Sequence, residues 1–124
     1  MSTWTTDQLD RIAAAEELRI APRREDGTLR NPTTIWVVRE GDALYVRSWR
    51  GTGGVWWTTA HDTRSGRVSA GGVTVDVAFA PEPSQAVNDR VDAAYQGKYG
   101  RYTDYVAPMV AEPARATTLR VTPA

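Results

Sequence analysis

At 124 residues, with 41% hydrophobic and 24% charged side chains, the chain has the size and make-up of one folded domain with one core, spanning residues 1–124. Lys plus Arg and Asp plus Glu both number 15, so the net charge is zero, and the basic excess on which nucleic-acid binders rely is missing. No cysteine is present, which removes thiolate catalysis, disulfides and cysteine-ligated metals.

The N-terminal stretch from Met1 to Arg11 lacks a basic start followed by an apolar run, and no segment approaches the ~20 apolar residues of a membrane span. The expectation is a cytoplasmic protein with no membrane partner. Five Trp against one Phe is unusual, and Trp serves both core packing and ring stacking.

The first element is a helix. Thr5 is an N-cap, Gln8 completes a capping box, and Trp4 before the cap can staple onto Leu9. Leu9, Ile12 and Ala13 share a face, and Glu16 and Glu17 are poor C-terminal residues, so the helix ends near Ala15. A strand over 17–22 follows, and Asp26-Gly27 marks a turn. Residues 32–40 read as a strand. Its Ile35-Trp36-Val37-Val38 run is apolar on both faces, which predicts a central position in the sheet. Gly41-Asp42 turns the chain into a partner strand over 43–49.

A glycine-rich loop over 50–54 leads into Val55-Trp56-Trp57-Thr58-Thr59-Ala60, which suits a strand or a helical turn; 61–66 is polar. Strands over 67–71 and 73–80 are joined at Gly71-Gly72. In the second, Val73, Val75, Val77 and Phe79 alternate with smaller or polar residues, the period of a half-buried strand. Ser84 caps a helix carrying Val87, Val91, Ala94 and Tyr95, a short helical piece spans 103–110, and 117–122 is the last strand. The prediction is an α+β fold: a small six-stranded antiparallel barrel with an N-terminal helix and a helical segment before the last strand.

No motif decides the chemistry. His61, the only histidine, sits in a polar stretch without a neighbouring motif and reads as a surface-loop residue rather than a general base. No Gly-x-Ser-x-Gly elbow is present, and one His with scattered acids predicts no metal site. The cluster with most chemical content is Arg47, Ser48, Arg50 and Gly51, a strand end opening into glycines, where guanidinium and loop N–H donors can cradle a phosphate. Trp56 and Trp57 follow and can stack on a planar ring. The alternative is a plain hairpin end with solvated arginines and Trp rings in the core. Strand parity also sends Arg47 and Arg50 to opposite faces unless the strand stops first. Tyr95, Tyr99, Tyr102 and Tyr105 recur at near-helical spacing, as a helix packing its rings on the barrel with hydroxyls reaching water.

Several segments together resemble a bacterial domain family of unknown function, number 2255 of its series. They are Leu18-Arg19-Ile20-Ala21-Pro22, Pro32-Thr33-Thr34-Ile35-Trp36-Val37-Val38, Leu44-Tyr45-Val46-Arg47-Ser48, Ala70-Gly71-Gly72, Lys98-Tyr99-Gly100-Arg101-Tyr102 and Thr117-Thr118-Leu119-Arg120-Val121. More distantly, the element order is similar to the split barrels that bind flavins and deazaflavins, among them pyridoxamine-phosphate-oxidase-like proteins and deazaflavin-dependent nitroreductases. That likeness implies FMN or a deazaflavin as cofactor, with Arg47, Ser48, Arg50 and Gly51 at its phosphate and Trp56 and Trp57 walling its ring. It also implies a homodimer and a redox reaction on a small molecule. Where the split barrels often carry an amide and Leu after the aromatic pair, this chain has Thr58-Thr59-Ala60. A barrel without cofactor, binding a small molecule or a protein partner, is the alternative.

Overall fold

The computed structural model describes residues 3–124; Met1 and Ser2, where the N-terminal stretch begins, lie outside the described residues. Helix α1 (Thr6–Ala14) starts as its sequence dictates: the Thr5 hydroxyl accepts from Gln8 N–H, and the Gln8 side chain accepts from Thr5 N–H. Trp4, Leu9 and Ile12 enter one core cluster, and the Trp4 indole N–H donates to Val121 C=O at 2.8 Å.

Among the described residues seven strands follow: β1 (Leu18–Pro22), β2 (Thr33–Ile35), β3 (Val38–Glu40), β4 (Ala43–Val46), β5 (Ser65–Ala70), β6 (Val73–Pro81) and β7 (Leu119–Pro123). All pair antiparallel, in the order β2-β1-β5-β6-β7-β4-β3. The two end strands, β2 and β3, are consecutive in sequence. One extended run lies first against β1 and then, past Trp36-Val37, against β4, so the sheet curls on itself. Six strands become seven because that run breaks at Trp36-Val37.

The 32–40 run is therefore peripheral, not central. Its two-sided apolarity has another cause. Ile35 and Val37 face the barrel interior, while Trp36 and Val38 join a second cluster with Val91, Tyr95 and Tyr99 of helix α3 (Gln85–Tyr99) and Val106 and Met109 of helix α4 (Thr103–Met109). Coverage by helices, rather than strands on both edges, buries its outer face. Neighbouring β4 shows the same division: Leu44 and Val46 point inward, Ala43 and Tyr45 toward the helices.

The Val55–Thr63 segment is helix α2, so His61 lies on a helix and not in a loop. Residues with β-branched and aromatic side chains are only mediocre helix formers. Here Ala60 is wholly buried in the barrel cluster, and the Thr58, Thr59 and Thr63 hydroxyls bond back to the carbonyls of Gly54, Val55 and Thr59.

Candidate functional site

The expected strand over 43–49 stops at Val46, and the chain after it does the positioning. Arg47 turns inward and is 1% exposed. Its Nε donates to Thr118 Oγ1 at 2.8 Å, Nη1 to Asp92 Oδ1 at 2.6 Å and Met109 C=O at 2.8 Å, and Nη2 to Asn88 Oδ1 at 3.1 Å and Asn88 C=O at 3.3 Å. A guanidinium has five N–H donors, and all are used within the chain. Asp92 also takes Arg115, and Arg47 lies 5.3 Å from the centre of the Tyr95 ring. The Tyr95 hydroxyl is buried and makes no hydrogen bond of normal geometry among the described residues, and burial pushes its phenol above the usual range.

Three residues on, Arg50 is exposed, and among the described residues nothing engages its guanidinium. Between them Ser48 is held by its N–H to Thr117 Oγ1 at 2.8 Å, while its hydroxyl has no partner among the described residues. Gly51 has φ +65°, and a Cβ there would sit 2.9 Å from the Pro113 ring, so that glycine serves the turn. Gly54, at the N-cap of α2, offers no side chain, so among the described residues no side-chain acceptor caps the first amides of that helix.

These features meet in one cleft of about 530 Å³, which lies between the β2 edge, the 47–50 corner, the start of α2 and α4. Arg47 forms its floor; Ser48, Arg50, Gly54 and Trp56 line it, while Gly51 and Trp57 do not. Successive helical residues diverge by ~100°, so Trp56 and Trp57 cannot both wall it. Trp57 instead donates its indole N–H to Thr117 C=O at 2.8 Å and stacks on His61 at 4.7 Å. In its place the cleft has Trp36, Trp49 and Tyr105, which sequence reasoning left out. Trp49 was within reach of it, lying between Ser48 and Arg50; Tyr105 stood out only as a member of the tyrosine row, with nothing to tie it to the 47–51 corner.

The exposed large apolar residues among those described are Trp49 (50%), Val55 (64%) and Tyr105 (56%), and all three line this cleft. Trp49 and Tyr105 lean together at 5.6 Å. Trp36 is braced from behind. Its ring stacks on Tyr99 at 4.0 Å, nearly parallel, and the Tyr99 hydroxyl accepts from Val37 N–H at 3.2 Å and donates to Glu16 C=O at 2.6 Å. Lys98 Nζ donates to Val37 C=O at 2.8 Å, and burial brings its ammonium down to about 8. Two members of the tyrosine row depart from the expected contact with water: Tyr95 and Tyr99 are fully buried, whereas Tyr105 is exposed and Tyr102, near the surface, donates to Glu16 Oε1 at 2.6 Å. That bond, with Arg101, holds the Glu16 carboxyl below its ordinary value.

Among the described residues no cluster of three or more His, Asp or Glu suits a metal ion, and no helix is long and apolar enough to cross a membrane. No protein of curated function matches the chain in sequence. Solved structures share its fold. A FAD-binding protein from Mesorhizobium loti superposes with TM-score 0.63 at 16% identity, over 98% of this chain and 91% of that one. An F420-H2 dependent reductase gives 0.61 at 12%, over 86% and 93%. A conserved hypothetical protein from Mycobacterium tuberculosis gives 0.63 at 14%, over 97% and 79%. At such identities the likeness is one of fold. Residues 8–121 match the model of the family described as uncharacterized protein conserved in bacteria (DUF2255), and the chain belongs to that family.

Proposed function

We propose that the chain is an oxidoreductase that holds a flavin or deazaflavin in this cleft and acts on a small molecule. One observation carries the reading: an uncompensated arginine, an uncapped helix start and a set of aromatic rings converge in a single cleft. The fold likeness to a FAD-binding protein and an F420-H2 dependent reductase agrees with it.

The residues fit such a cofactor in part. Arg50, the free Ser48 hydroxyl and the first amides of α2 suit a phosphate. Arg47 does not, because its donors are spent inside the chain; its part is to fix the floor. Trp36, Trp49, Trp56 and Tyr105 offer faces and edges to a planar ring and exclude water from it. The cofactor, when bound, supplies the hydride chemistry, so no acid or base from the chain is required. A second copy covering Trp49, Val55 and Tyr105 would bury the exposed rim, so the same reading makes the protein a homodimer.

Titration with FMN and with F420, followed by tryptophan emission, tests this. Quenching at micromolar cofactor is expected, together with at least about tenfold weaker binding in Arg50→Ala, the loss of one charge-assisted contact. Sedimentation should give a dimer. If neither cofactor binds below the millimolar range, the reading fails. The full occupation of Arg47 would then favour a barrel that binds a small molecule without a cofactor.

A further inference from the structure

A second depression, of about 340 Å³, lies on the sheet where β1, β5 and β6 run side by side, and it shares no lining residue with the cleft above. Strand register builds it. Arg19 on β1 pairs with Ser69 on β5, which pairs with Thr74 on β6; two residues along, Ala21 pairs with Arg67, which pairs with Asp76. Residues two apart on a strand share a face. The intervening Ile20 and Val68 belong to the barrel core, so this row faces outward. The small side chains of Ala21, Ser69 and Thr74 leave a low floor. Arg19 and Arg67 stand beside it, and Arg30 lines it from the loop before β2.

The charge there is not balanced. Among the described residues eight arginines of this neutral chain have a carboxylate within ion-pair distance. Of the three around this depression only Arg67 does, with Asp76 at 2.8 Å, and Asp76 also lies 3.8 Å from Arg23. Arg30 Nε meets the neutral Thr59 hydroxyl at 2.6 Å, and the Arg19 guanidinium has no partner among the described residues. No carboxylate lines the depression. Two positive charges without a carboxylate partner among the described residues thus line a depression whose floor bears hydroxyls, an arrangement that favours an anion.

We propose that this depression is a binding site for a small organic phosphate. A phosphomonoester carries a charge of about −1.5 to −2 near neutral pH, which answers the two uncompensated guanidinium groups. Arginine forks match its oxygens in pairs. The volume lies at the lower end of small-molecule sites, roughly 300–1,000 Å³, which favours a compact ligand over a polymer. Leu29 and Pro32 give the organic part an apolar wall.

The test is calorimetric titration at low ionic strength with phenyl phosphate and with inorganic phosphate. The proteins are wild type, Arg19→Ala, Arg30→Ala and Arg50→Ala. Arg19 has no side-chain partner to lose, so its replacement leaves the fold intact, which circular dichroism checks. Phenyl phosphate is expected to bind the wild type at millimolar concentration or below and more tightly than inorganic phosphate. Arg19→Ala and Arg30→Ala should each weaken it about tenfold, while Arg50→Ala leaves it unchanged. No binding below about 10 mM, or binding indifferent to Arg19 and Arg30, overturns the proposal. Sensitivity to Arg50 alone places the anion in the other cleft and also overturns it. Equal affinity for the two probes overturns the organic part.

Discussion

The floor of the large cleft and its rim each present an arginine, three residues apart in sequence. At the floor, Arg47 is buried, donates five hydrogen bonds and pairs with Asp92. At the rim, Arg50 is exposed, and its guanidinium has no partner among the described residues. A buried cation is tolerated only when paired and fully hydrogen-bonded, so Arg47 ties β4 to α3, to the end of α4 and to Thr118 ahead of β7. An exposed cation keeps its hydration and can exchange it for a ligand. The residue type is the same; burial decides whether the charge is structure or function.

The largest expected effect breaks that contrast at the floor. Arg47→Met strips Asn88 Oδ1, Met109 C=O and one Asp92 oxygen of a donor, while Arg115 still compensates Asp92. Urea unfolding should show a loss of about 3 kcal/mol, the lower end for breaking a buried pair. Arg50→Ala should change stability by less than about 0.5 kcal/mol, as for a surface site. Comparable losses in the two variants would refute the division between floor and rim.

What the sequence discloses follows the same line. The capping box at Thr5, the turn at Gly41-Asp42 and the alternation from Val73 to Phe79 rest on interactions between near neighbours, and each stands in the structure. Strand parity would part the two arginines only if the strand ran on to Arg50, and it stops at Val46, so their separation comes from the turn that follows. The partners that bury Arg47 were not legible, because Asn88, Asp92, Met109 and Thr118 lie 41 to 71 residues further along. Helix α2 was ambiguous for a related reason. Its aromatic and β-branched residues suit a strand, and its contacts come from elsewhere, such as Trp57 to Thr117. The aromatic wall of the cleft likewise gathers Trp36, Trp49, Trp56 and Tyr105 from four separate segments.

A second test concerns the brace behind Trp36. Tyr99→Phe keeps the ring stack but leaves the buried Val37 N–H and the Glu16 carbonyl without the hydroxyl. A destabilisation of about 1–2 kcal/mol is expected from an unmade buried hydrogen bond. If the brace positions Trp36, cofactor binding should weaken as well, although Tyr99 does not line the cleft. Unchanged binding beside lost stability would confine Tyr99 to the core.

The same brace predicts a pH-dependent effect. Burial lowers the Lys98 ammonium from 10.5 to about 8 in the folded chain. Between those values the unfolded chain holds more protons, so stability rises with pH across that window, and below it the folded state carries the full cost of the buried charge. Urea midpoints at pH 7, 8.5 and 10 should climb in the wild type relative to Lys98→Met, which lacks the titrating group. A difference that shrinks or stays flat over that range would mean that the bond to Val37 and the Tyr99 ring keep Lys98 protonated as in water.

The smallest effect is expected at His61, and it bears on what the rim contains. His61 lies on α2, half-exposed, with its ring against Trp57 and Nδ1 at 3.4 Å from the Asp62 carboxylate. Trp57 is turned away from the cleft, and His61 does not line it. Among the described residues no triad partner reaches the ring from another element. An exposed pair of neighbours at that distance contributes little, and the contact with Trp57 is a packing interaction at risk. His61→Ala should therefore cost less than about 0.5 kcal/mol and leave cofactor affinity, and any turnover measured with the cofactor, within about twofold of wild type. A large loss of turnover with binding intact would make His61 an acid or base, and the chemistry would then have to reach the far side of α2.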